Sequence, residues 1–180
     1  MPIRRIVTAH DKTGKSVVVS DGPSPWRQEF QYTPGFASTV VWQTPPLPVI
    51  PFDGKDPTRS LATLIPAAGG TTFVIVTFPP DAVMADPNFN PELAGQEHAR
   101  ASPGLVDHFE IDNPGMHTTP TADYAIVLNG EIWLELDDSK TVHLKQHDVV
   151  VQNGTRHAWR NRGANAATLA FILIGSGKKV

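Results

Sequence analysis

Apolar and polar residues alternate with a period of two through most of the C-terminal half, the pattern of strands that bury one face. The alternation predicts strands over 105–111, 123–128, 131–136, 141–145, 148–152, 157–161 and 168–174. Turn residues separate them: Asn113-Pro114-Gly115, Asn129-Gly130, Asp137-Asp138-Ser139, Asn153-Gly154 and Arg162-Gly163. Asn129-Gly130 sits between two alternating runs and predicts a hairpin. Upstream, the β-branched run 71–78 predicts a buried strand, stopped by Pro79-Pro80. Shorter strands are expected over 3–7, 15–19 and 38–42, the first two joined by a turn at 11–14. From 44 to 70, six prolines preclude central pairing in a sheet, so this stretch reads as an extended arm. One helix is expected, with Asn90 as its N-cap, Pro91 in the first turn and an end near Ala101.

Composition narrows this picture. A chain of 180 residues suits one domain, and 17 prolines with 14 glycines favour many turns and an all-β fold. A net charge of -3 gives no reason to propose nucleic acid or an anionic membrane as partner. With no cysteine, neither a disulfide framework nor a thiolate metal site is available. No apolar stretch is long enough to span a bilayer and the first residues do not resemble a signal peptide, so a cytoplasmic protein is expected.

The candidate chemistry lies in two histidine-bearing segments. His117, Thr119 and Asp123 share one parity, and His157, Trp159 and Asn161 share another, so each set points to one face of an extended segment. Two antiparallel strands would bring His117, Thr119, Asp123 and His157 into one space. Imidazole and carboxylate donors together suit iron, manganese, nickel, copper or zinc.

These segments resemble the two motifs of the cupin superfamily. Gly115-Met116-His117-Thr118-Thr119, then Asp123 and Gly130, is similar to the first, which runs glycine, His-x-His, Glu, glycine. Gln152-Asn153-Gly154-Thr155-Arg156-His157, then Asn161, is similar to the second, Pro-x-Gly-x-x-His-x-x-x-Asn. The resemblance covers about 113–174 and implies a small jelly-roll-like β-barrel, here with N-terminal strands and arm (1–70) packing on the barrel proper (71–180). It also implies one divalent metal ion held by His117, Asp123 and His157, a small-molecule substrate and a homodimer. Four positions depart from the pattern: Thr119 replaces the second histidine, Asp123 the glutamate, Gln152 the proline, and His147 the leading glycine.

Two functions follow. One is an enzyme acting on a small organic substrate, with His117, Asp123 and His157 as catalytic residues, either through the metal or by metal-free acid–base chemistry. The other is a non-catalytic binding protein that has lost the metal. Thr119, Trp133 and Trp159 are the expected pocket residues, with barrel core as the competing role for the tryptophans. His10, His98, His143 and His147 read as surface residues, and Asn161 as a turn cap. Arg156 and Arg160 read as surface charge or as a means of steering an anionic substrate. The arm is either a lid or a contact to a partner subunit, and 89–103 is a candidate wall of the pocket mouth.

Overall fold

The computed structural model describes residues 2–177. It contains eleven strands among these residues: β1 (Arg4–His10), β2 (Ser16–Pro23), β3 (Arg27–Glu29), β4 (Ala37–Thr44), β5 (Thr71–Phe78), β6 (Thr121–Asn129), β7 (Glu131–Glu135), β8 (Thr141–Lys145), β9 (Val149–Asn153), β10 (Ala158–Arg160) and β11 (Ala167–Gly175). One helix, α1 (Pro91–Ala101), lies between β5 and β6. The strands form an antiparallel six-stranded sheet ordered β3-β4-β5-β11-β6-β9, a three-stranded sheet ordered β10-β7-β8, and a separate β1-β2 hairpin.

The period-two pattern explains the layering. Val74 of β5, Ala125 and Val127 of β6, and Leu169 and Leu173 of β11 face Ile132 and Leu134 of β7 and Leu144 of β8 in one buried cluster. Two sheets that each present an apolar row close on each other as a barrel-like sandwich. The arm adds Leu61 and Leu64 to this core and pairs Ala68 beside Gly175, so much of it packs on the barrel.

Two expectations are corrected. Asn129-Gly130 is a corner, not a hairpin: β6 and β7 belong to different sheets and do not pair. Gly130 makes the corner possible. Its φ is 80°, and a Cβ there would meet Ala166 O at 2.8 Å and Ala167 Cα at 3.0 Å. The expected strand over 105–111 is instead a short 3-10 turn, Val106–His108, followed by one isolated bridge from Phe109 to His117. Leu105 is drawn into the core and Ile111 is 95% exposed, so the run serves no single sheet face. The six-stranded sheet also includes β3 and β4, from the N-terminal part of the chain.

The helix begins as expected: Asn90 Oδ1 accepts from Leu93 N at 3.0 Å. It packs away from the motif segments. The Glu97 carboxylate accepts from Gln31 N and Tyr32 N at 2.8 Å each, and the His98 ring sits against Phe30 and Phe36. His98 is therefore partly buried, and burial lowers its pKa.

Candidate functional site

The first motif segment lies just before β6, and the second ends where β10 begins. Their backbones meet at one point. His117 N donates to His157 O and His157 N donates to His117 O, both at 2.9 Å, in an isolated antiparallel bridge. Directly opposed residues carry their side chains to the same side, so the two rings lie 4.2 Å apart at 49°. The two histidines on which the motifs agree are thus neighbours.

Backbone carbonyls fix both rings. His117 Nδ1 lies 3.0 Å from Gly115 O, and His157 Nδ1 lies 2.9 Å from Thr155 O. A carbonyl can only accept, so each Nδ1 carries the proton and each neutral ring keeps its lone pair on Nε2. Gly115 turns with φ 85°, and a Cβ there would meet Arg160 Nη1 at 3.0 Å. The Thr155 carbonyl is also held by Gln152, whose Nε2 donates to it at 3.0 Å. Gln152, where the motif has proline, thus braces the turn that orients His157.

Burial sets the charge state of the pair. His117 is pushed down to about 4, first by loss of hydration and then by the neighbouring His157. His157 is lowered by burial, partly offset by its bond to Thr155. Both imidazoles are therefore neutral at pH 7.

Asp123 continues the row. His117, Thr119, Thr121 and Asp123 are all buried, and Thr119 Oγ1 and Thr121 Oγ1 lie 2.8 Å apart. Burial raises Asp123 to about 6, against a smaller opposing pull from its hydrogen bond with Thr121. Its Oδ1 is buried with no hydrogen-bond partner. Thr119, where the motif has its second histidine, is engaged by a hydroxyl.

Whether these residues fit a metal ion follows from the donor set. Two Nε2 lone pairs whose Nδ1–H groups are held by carbonyls resemble metal-ligating imidazoles. Among the described residues, however, no group of three or more His, Cys, Asp or Glu side chains converges to hold an ion. His117, Asp123 and His157 do not form such a group among the described residues.

Trp159 lies edge-on to His157 at 5.9 Å and to Phe171 at 5.3 Å. Trp133 does not line the pocket. It lies in the half-exposed row of β7 with Glu131 and Glu135, opposite buried Ile132 and Leu134, and stacks on exposed His143 at 4.2 Å and 3°. Asn161 is a buried turn brace, donating to Phe78 O and Asn165 O. His147 stands where the motif has glycine and holds φ 75°. Phe109 was not among the residues singled out, yet its ring stacks on His117 at 4.5 Å. Only the resemblance of its flanks to a strand hid it.

No family model matches the chain. A 60-residue segment is 53% identical to phomopsin biosynthesis cluster protein C' of Diaporthe leptostromiformis, covering 33% of this chain and 32% of that one. A 62-residue segment is 40% identical to the cupin-domain-containing oxidoreductase virC of Hypocrea virens, again 33% and 32%. Each match thus spans about a third of the relative's own length. Among solved structures, an RmlC-like cupin family protein from Methanocaldococcus jannaschii with a double-stranded β-helix fold aligns over 58% of this chain and 70% of that one. Its TM-score is 0.37 at 11% identity. The two motif frames, which the antiparallel barrel brings together, resemble those of the cupin superfamily, and one segment of the chain is similar to a cupin-domain-containing protein.

Proposed function

We propose that the chain is a cupin-type enzyme that performs acid–base chemistry on a small organic molecule, with His117, His157 and Asp123 as its working residues. The paired, neutral imidazoles carry this reading: their Nε2 atoms have no hydrogen-bond partner among the described residues. In this role they accept hydrogen bonds from substrate hydroxyl or N–H groups and hold it in place. Asp123, raised to about 6, exchanges a proton close to neutrality, as a general acid or base requires. Proton removal at one atom and return at another suits isomerisation or dehydration. A relative named for a phomopsin biosynthesis cluster and one named as an oxidoreductase support a role in small-molecule metabolism.

The test is conversion of a panel of hydroxylated and carbonyl compounds, followed by mass spectrometry in wild type, Asp123→Asn and His157→Asn. Wild type should convert at least one compound, and each variant should be slower by about 100-fold or more. Equal turnover in the variants would contradict the assignment. Binding without conversion would favour a non-catalytic binding protein.

The proposal includes a second copy of the chain as partner. The outer face of β6 and β9 presents exposed Tyr124, Val149 and Val151 where an antiparallel sheet facing water would carry polar side chains. Sedimentation should give a dimer, and Val149→Lys with Val151→Lys should give a monomer. A wild-type monomer would contradict it.

A further inference from the structure

We propose that the cavity between the β1-β2 hairpin and the proline-rich arm is a second ligand site, and that it takes a small monocarboxylate with a ring-sized apolar body. No residue of either motif segment lines this cavity, so the inference stands apart from the paired histidines and their chemistry.

The cavity follows from how the hairpin is attached. Arg5, Val7 and Ala9 share one parity of β1, and Arg5 is buried. Its guanidinium reaches from the hairpin to β4 and the arm. Nη2 donates to Asp56 Oδ2 at 2.6 Å, and Nη1 donates to Thr58 Oγ1 at 3.1 Å and to Val41 O at 3.3 Å. One side chain thus braces both walls, and a cavity of about 340 Å³ lies between them. On β2 the register shifts between the Val7–Ser20 and Thr8–Val18 pairs, which leaves Val19 as the extra residue of a bulge. Val19 and Ser20 both line the cavity. The volume is at the small end of ligand pockets, which span roughly 300–1,000 Å³. It exceeds the roughly 150 Å³ that holds a benzene ring, which leaves room for a ring with one polar group.

Part of the lining is apolar: Val7, Ala9, Val19, Trp42 and Phe52. Trp42 and Phe52 meet edge-on at 5.6 Å. An apolar ligand body gains by leaving water for such a wall.

The charges on the rest of the lining are unequally matched. Asp56 accepts from Arg5, from Thr58 N at 2.9 Å and from Thr58 Oγ1 at 2.6 Å. Asp53 Oδ1 accepts from Lys55 N at 3.0 Å, and its Oδ2 lies 3.6 Å from Lys55 Nζ. Both carboxylates are therefore engaged. Arg59 ends the 3-10 turn Pro57–Arg59, which Asp56 caps, so its backbone is held. Its guanidinium has no hydrogen bond or ion pair among the described residues, and neither do the His10 ring and the Ser20 hydroxyl. An unspent cation and two further polar groups thus lie beside an apolar wall. A carboxylate suits a guanidinium through two parallel hydrogen bonds. The arginines near the paired histidines offer no such opening. Arg156 is bound to Glu110 and Asp137, and Arg160 to Glu135, so anion steering by those two is not supported.

The test titrates the intact protein with phenylacetate, its neutral amide phenylacetamide, and inorganic phosphate. The readout is the Trp42 indole ¹⁵N–¹H signal, assigned with Trp42→Phe. Phenylacetate should shift this signal saturably and bind about tenfold or more tighter than the amide or phosphate. Arg59→Gln should weaken phenylacetate about tenfold or more and leave the amide unchanged, and Arg59→Lys should lose less. Equal binding of phenylacetate and its amide, or no saturable shift, overturns the proposal. Phosphate binding as tight as phenylacetate overturns the ligand class, because the apolar wall would then contribute nothing. Unchanged phenylacetate binding in Arg59→Gln overturns the role of Arg59. Should that variant fail to fold, the comparison of acid and amide in wild type still decides. His157→Asn should leave phenylacetate binding intact, and its loss there would place the ligand at the paired histidines and overturn this site. None of these readings requires turnover, so failure of the catalytic proposal leaves them unaffected.

Discussion

The molecule contains two histidine–aromatic stacks, and they differ in almost every physical respect. Where the two motif segments meet, Phe109, His117, His157 and Trp159 are joined through buried imidazoles whose Nδ1–H groups are held by backbone carbonyls. On the outer face of the three-stranded sheet, Trp133 stacks flat on His143, whose Nε2 lies 2.8 Å from Glu131 Oε2. The carboxylate accepts, so His143 carries its proton on Nε2, opposite to the inner pair. The outer stack is exposed, and its histidine–carboxylate contact is worth little. A site arises here from burial plus a partner that fixes the tautomer, and the residue types alone do not distinguish the two stacks.

Asp123→Asn should sharpen that contrast most. Asp123 rises from 3.8 to about 6 on folding, so between those values the folded chain binds more protons than the unfolded chain. Its contribution therefore weakens stability as pH rises through about 6, by roughly 3 kcal/mol when complete. His117, lowered from 6.5 to about 4, acts in the opposite sense: the unfolded chain binds more protons, and stability grows as pH rises from about 4 to 6.5. Asp123→Asn should therefore be more stable than wild type at pH 7, the gap should close toward pH 4, and the variant should lose stability more steeply on acidification. Urea melts at three pH values check this. A variant less stable by the same amount at every pH would show that the Asp123 carboxylate is well satisfied.

Gln152→Ala should come next. It removes the donor to Thr155 O and loosens the turn behind His157, at a cost of roughly 1–2 kcal/mol. It should also weaken the preference of His157 for the Nδ1–H form, which a simple packing loss would not do; imidazole ¹⁵N shifts distinguish the two. His143→Ala, on the outer stack, should change stability by only about 0.5 kcal/mol. An effect as large as that of Gln152→Ala would mean that the two stacks are more alike than their burial indicates.

Much of this site was legible in the sequence because parity is a local property. The inward row of His117, Thr119 and Asp123 and the inward set of His157, Trp159 and Asn161 follow from alternation, as does the N-cap at Asn90. Sheet membership is not local. Asn129-Gly130 has the residues of a hairpin, but the close approach of Ala166 and Ala167 to Gly130 turns it into a corner. Trp133 has the outward parity, and only its membership of β7 shows that its face lies outside the barrel. The roles of Phe109 and Gln152 depend on contacts to other segments, His117 and Thr155, that no pattern within their own strands reveals.

His117 and His157 are neutral, with the proton on Nδ1 and Nε2 unprotonated. Two-dimensional ¹⁵N–¹H spectra of the imidazoles test this state most directly. At pH 7 both should show the Nδ1–H tautomer, His143 the Nε2–H tautomer, and His117 should remain uncharged on acidification to about pH 5. An Nε2–H tautomer at either inner histidine, or protonation of His117 near pH 6.5, would contradict the account.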